Sequence, residues 1–177
     1  MFPHGVLTMF KNKKIIKWVI IITVVIVGVA GIIWSALFSL FAPNKEKIEE
    51  YYEHDKDDLI IVADYLSNMK YPFVNIDESN LEDEVIFTGA STQYQPISDE
   101  NALKSLKKLI DSEDYILIGK DHNTIFFQKW SFLEKDRGIA MSIDKDKSPA
   151  VEFIIKSEPL SEAGWYYYEA DYEKYRN

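Results

Sequence analysis

The sequence predicts an α+β protein: an N-terminal single transmembrane helix followed by one extracytoplasmic domain of two helices and an antiparallel sheet. Three observations lead there. Trp18 to Phe41 is uncharged throughout, the stretch after Asn44 carries apolar residues at helical spacing, and the last third alternates apolar with polar residues between turn signals. Setting the first 41 of 177 residues aside leaves one domain of ordinary size.

Residues 1–14 read as a cytoplasmic stub, without periodicity and with His4 solvated. In the run that follows, about 24 residues at roughly 1.5 Å each span ~36 Å, enough to cross a hydrocarbon core of about 30 Å. A backbone in lipid must satisfy its own hydrogen bonds, so residues 15–42 read as a transmembrane signal anchor in contact with the lipid bilayer. Lys11, Lys13, Lys14 and Lys17 precede it, and no Asp or Glu occurs before Pro43. Lysines at a membrane end stay cytoplasmic, which puts the N-terminus inside and residues 43–177 outside a cell membrane crossed once. A cleaved signal fits less well. The run exceeds the usual h-region, and cutting after Ala42 or Ala36 would place bulky Leu40 or Trp34 at the third position back. Gly31, Ser35 and Ser39 recur every four residues beside Gly28, a small-residue face suited to a homodimer or to pairing with another membrane protein.

Asn44 is a good N-cap with acids following it, and Ile48, Tyr52, Leu59, Val62, Leu66 and Met69 keep helical spacing, so the spacing predicts an amphipathic helix over 45–70. Tyr71-Pro72 ends it. With almost no linker, the domain is expected close to the bilayer surface. Residues 73–76 and 85–88 read as short strands around an acidic loop, DESNLEDE. Ser98 reads as the N-cap of a second helix over 99–111, with Ala102, Leu103, Leu106, Leu109 and Ile110 as its apolar stripe. Strands are expected at 115–118 and 124–132 around the turn KDHN, at 139–143, at 151–155, and at 165–168. This makes a meander of four or five strands with helices on one face.

The net charge of −9 becomes −13 once the four leading lysines are set aside. Such a domain repels nucleic acid and anionic lipid and suits a basic protein partner or a cation. There is no cysteine and no N-x-S/T site, which favours a bacterial envelope over a eukaryotic secretory route. No G-x-S-x-G, H-E-x-x-H or phosphate-loop motif occurs. Glu50, His54 and Asp58 share a helix face at metal-ligand spacing, but a solvated face explains them as well. His122 reads as part of a hairpin turn. Asp144-Lys145-Asp146-Lys147-Ser148 begins like a calcium loop, yet Pro149 stands where glycine is needed and Ile155 where the bidentate Glu belongs. No catalytic residue, metal or cofactor is expected, and the chain is read as not an enzyme.

The aromatic run Trp165, Tyr166, Tyr167 and Tyr168, continued by Tyr172, is the more informative feature. Two of the first four must face each side of a strand. One pair serves the core; the other is either covered or forms a partner-binding platform for protein or sugar. The segments Arg137-Gly138-Ile139-Ala140-Met141-Ser142-Ile143, Glu158-Pro159-Leu160-Ser161 and Gly164 to Tyr168 resemble the C-terminal part of small uncharacterised membrane-anchored envelope proteins of Gram-positive bacteria. That resemblance implies a bacterial envelope and transfers no function. The expectation is a membrane-anchored, extracytoplasmic protein-binding module, one version being an immunity-type protein that neutralises a secreted toxin. The alternatives are a subunit of an envelope assembly and an extracytoplasmic hydrolase.

Overall fold

The computed structural model describes residues 13–89 and 93–175. The chain divides into two units, Met1–Phe41 and Ala42–Asn177. The first holds α1 (Lys13–Leu40), whose stretch Ile16–Trp34 is long and apolar enough to cross a membrane. Its large side chains from Trp18 to Trp34 are exposed, as suits a helix that contacts a bilayer, either as a signal anchor or as a signal sequence.

The second unit opens with α2 (Lys45–Ser67). Asn44 caps it as expected, its side chain accepting from Lys47 N at 2.9 Å. The remaining elements are β1 (Phe73–Ile76), α3 (Glu78–Glu82), β2 (Val85–Thr88), β3 (Gln93–Pro96) and α4 (Glu100–Lys107). A π-helical turn (Lys108–Ser112) then leads to β4 (Leu117–Asp121), β5 (Thr124–Phe132), β6 (Lys135–Ser142), β7 (Ile154–Pro159), β8 (Trp165–Asp171) and the short α5 (Tyr172–Tyr175). The strands form one antiparallel sheet in the order β3-β2-β1-β4-β5-β6-β8-β7.

The α+β class is as the sequence predicts, but the expected meander joins the strands at 73–76 and 85–88 and an unexpected β3 in one eight-stranded sheet. β3 is polar and has no alternation to betray it; it is an edge strand, where Pro96 needs no ladder partner. The supposed acidic loop holds α3, because Asp77 and Asn80 close a capping box on each other. Asp99, not Ser98, caps α4, with Oδ1 accepting from both Asn101 N and Ala102 N at 2.9 Å. The strand expected at 151–155 begins only at Ile154, leaving Val151 and Phe153 outside it.

The helices cover one face of the sheet. Ile48, Tyr52, Leu59, Val62 and Leu66 of α2 and Leu106 of α4 pack onto Ile76, Ile86, Ile118, Ile125, Phe127, Ile139, Trp165 and Tyr167. Trp165 lies between Phe127 (ring centroids 6.0 Å apart) and Tyr52 (5.2 Å). Lys120 reaches from β4 to the C-terminal end of α2, donating to Leu66 O at 2.9 Å and Met69 O at 2.7 Å, where the helix dipole favours a cation.

Among the described residues of this unit no long helix covers the opposite face; only Tyr172 of the short α5 joins it, beside Ala140, Tyr168 and Ala170, and the face is built around two glycines. Gly119 pairs with Phe126 and Gly138 with Tyr168. A Cβ on Gly119 would run into the Phe126 ring, and one on Gly138 into Phe127 O and the Tyr168 ring. Each aromatic ring therefore lies flat over the neighbouring strand because that strand offers no side chain there.

Candidate binding face

β8 lies inside the sheet between β6 and β7, and its side chains project onto the two faces of the sheet. Trp165 and Tyr167 point into the helix-covered core. Tyr168 is fully buried on the other face with Ala140 and Ala170, and only Tyr166 and Tyr172 are half-buried. Trp165, Tyr167 and Tyr168 are thus buried within the domain itself, which leaves only Tyr166 and Tyr172 of the run partly accessible. On α1, a Cβ at Gly28 or Gly31 would meet no atom within 4 Å, whereas the side chains of Ser35 and Ser39 lie outside the described residues.

Glu50, His54 and Asp58, which share a helix face at metal-ligand spacing, are not grouped as ligands. Glu50 takes Lys47 at 2.6 Å, and Asp58 takes Lys108 at 2.5 Å and Ser105 at 2.8 Å. His54 instead donates from Nδ1 to Asp55 Oδ1 at 2.6 Å and lies 3.7 Å from Glu113. Their carboxylates raise its pKa, the Asp55 hydrogen bond most of all. His54, Asp55 and Glu113 could group around a metal ion by distance. However, Tyr115 OH already donates to the buried Asp55 at 2.9 Å, and the Lys129 ammonium binds Glu113 O and lies over the Tyr115 ring at 4.1 Å. The cluster has its own cation, which disfavours a second one, and it ties α2 to the π turn and β5. Burial drives the Lys129 pKa down and the Tyr115 hydroxyl far up. At Asp144 the carboxylate is held by Lys147 at 2.6 Å, and Asp77 is engaged in capping α3.

The helix-free face presents a different environment. A hollow of about 290 Å³ lies among Phe73, Asn75, Phe87, Phe126, Gln128 and Phe153, with Gly119 beneath the Phe126 ring. Register explains the grouping: Asn75 pairs with Gly119 on one side and Phe87 on the other, and Gly119 pairs with Phe126, so every second residue of adjacent strands faces the same way. Phe153 folds over from its loop to meet Phe126 edge-on at 5.7 Å and to stack on Tyr172 at 5.0 Å. A second hollow of about 510 Å³ adjoins the first, sharing Phe73, Asp121 and Phe153 and adding His122, Val151 and Glu152. Phe73 is 40 % exposed, and at the sheet's edge Tyr94, packed on Phe87 at 5.8 Å, is 59 % exposed.

Two buried polar atoms on this face have no hydrogen-bond partner, Asn75 Oδ1 and Tyr168 OH. Burial and the nearby Asp136 carboxylate push the Tyr168 hydroxyl well above its ordinary pKa, so it stays protonated. Burial likewise raises Tyr172, whose hydroxyl engages Asp136.

None of Phe73, Asn75, Phe87, Phe126 and Phe153 was marked by sequence reasoning as a binding residue. A signal did exist. FVNI, VIFT and TIFF put apolar or aromatic residues on both sides of their strands, where a sheet with one solvated face would alternate. No family model, no curated protein and no solved structure matches this chain.

Proposed function

We propose that the protein is a membrane-anchored binding module whose helix-free sheet face receives a protein partner outside the cell. The supporting observation is that face itself: an aromatic-lined hollow, rimmed by exposed Phe73 and Tyr94, in a domain of strongly negative charge. Orientation rests on the lysines that precede α1 and the acids that follow it. An immunity-type role, in which the face occupies a secreted basic protein before it acts on the cell, is the most concrete form of this reading.

The absence of cysteine makes the topology easy to test, because a single Glu100→Cys variant carries the only thiol. A membrane-impermeant maleimide should label it in intact cells. Labelling only after lysis would place the domain inside and end the reading. The binding face is tested with a photo-crosslinking phenylalanine analogue in full-length protein at Tyr94, at Phe73, and at Ile61 on α2. Crosslinks to one discrete protein from the first two sites and not from the third are expected. A partner captured only from Ile61 would move the interface to the helices.

A second reading, a subunit of an envelope assembly joined through α1, draws on the open surface at Gly28 and Gly31. Exchanging α1 for an unrelated membrane helix should abolish function in that case and preserve it in the first.

A further inference from the structure

We infer that the paired hollows of the helix-free face take an arginine side chain carried on an extended segment of the protein partner. This rests on the proposed function and specifies its chemistry. The walls are aromatic, with Phe73, Phe126 and Phe153 grouped so that a guanidinium and its hydrocarbon stem would lie against ring faces. The polar lining includes acceptors and acids as well as donors. Asn75 Oδ1 is buried without a donor, Gln128 lines the same hollow, and Asp121 and Glu152 stand along the second one.

The charge on this surface is unbalanced. Among the described residues Lys120 is the only Lys or Arg lining either hollow, and its ammonium is turned to the other face, where Leu66 O and Met69 O hold it. His122 donates from Nδ1 to Asp121 at 2.6 Å and places its ring edge-on to Phe73 at 4.7 Å, which fixes Asp121 beside the aromatic wall. An arginine offers donors to several acceptors at once and is weakly hydrated, so it can enter an apolar hollow that a lysine ammonium would resist. A neutral apolar side chain would fill the space but leave Asn75 Oδ1 without a donor.

The test uses full-length protein in nanodiscs of neutral lipid, labelled with fluorophenylalanine. The probes are the peptide Ac-Ala-Phe-Arg-Phe-Ala-NH2 and its citrulline counterpart, which keeps the shape and removes the charge. The arginine peptide should shift the Phe73, Phe126 and Phe153 signals saturably, and citrulline should weaken binding about tenfold. Asp121→Asn with Glu152→Gln should weaken arginine binding to a similar degree, and Asn75→Asp should tighten it several-fold, with all three rings still reporting a folded face. Equal binding of both peptides, tighter binding by the acid-neutralised variant, or no saturable shift at about 10 mM peptide would overturn the inference. If photo-crosslinks form at Tyr94 and Phe73 but the arginine peptide fails, the inference falls while the binding-module reading stands. If the peptide binds as described and no crosslink forms in cells, the chemistry of the hollow stands and the cellular reading falls.

Discussion

Phe126 and Phe127 are neighbours on β5 yet enter opposite environments. Phe127 goes into a core sealed by α2 and α4, where buried tyrosines have partners: Tyr115 on Asp55, Tyr52 on Glu162 at 3.0 Å, Tyr167 on Glu169 at 2.7 Å. Phe126 lies half-buried over Gly119 at the wall of a hollow, on a face where Asn75 Oδ1 and Tyr168 OH go without partners. The helix-covered face has settled its polar atoms and filled its volume. The other face retains open volume and unmet hydrogen-bonding capacity, which ordinary packing for stability would remove. Comparison of the two faces therefore separates residues that hold the fold from residues available for recognition.

The largest expected difference is between the two phenylalanines themselves. Phe127→Ala should cost about 3–5 kcal/mol and Phe126→Ala about 1–2 kcal/mol, because only the first empties a closed core. Urea unfolding of the full chain in detergent reads both, and equal losses would erase the distinction between the faces.

The tyrosines sharpen it with a change of sign. Tyr115→Phe strips the buried Asp55 of a donor and should destabilise by about 1–3 kcal/mol. Tyr168→Phe removes a hydroxyl that has no partner and should leave stability unchanged or raise it by about 1 kcal/mol. A clear loss at Tyr168 would mean that its hydroxyl is satisfied in solution.

A smaller gain is expected at the tip of the β5–β6 hairpin. Leu133 (φ 47°) and Glu134 (φ 63°) both adopt the left-handed conformation that a two-residue turn of this hand requires and that neither side chain favours. Leu133→Asn with Glu134→Gly should stabilise by about 1 kcal/mol, seen as a higher melting temperature.

The smallest effect is a pH dependence on the helix-covered side. The Asp55 hydrogen bond and the charges of Asp55 and Glu113 raise the His54 pKa above its ordinary 6.5. Protonated His54 is therefore favoured by folding. Its contribution is fully present below pH 6.5 and fades as pH rises through the folded value. His54→Gln should flatten the melting temperature between about pH 6 and 8. An unchanged slope would show that this exposed pair contributes nothing, as many surface pairs do.

Much of the fold was legible in the residues alone. The uncharged run marked α1, the helical spacing from Ile48 to Leu66 marked α2, and Asp121-His122-Asn123 marked the β4–β5 turn, where His122 has a positive φ of 51°. These are signals that a helix period, a capping atom or a turn conformation imposes locally. β3 escaped because an edge strand needs no apolar alternation, and α3 because a capping box inside an acidic stretch looks like loop.

The candidate site depended on neighbours far apart in sequence. The sequence determined that Trp165 to Tyr168 alternate across a strand. Only the packing of the helices on one face, and of Ala140, Ala170 and their neighbours on the other, decided that Trp165, Tyr167 and Tyr168 are buried while Tyr166 is not fully so. Asn75 joins Gly119 and Phe126 in one wall solely because long-range pairing sets β1 beside the β4–β5 hairpin in that register. Local periodicity specifies which way a side chain points along its own strand. What stands beside it, and whether anything covers it, is settled by pairing between strands and by which face the helices occupy.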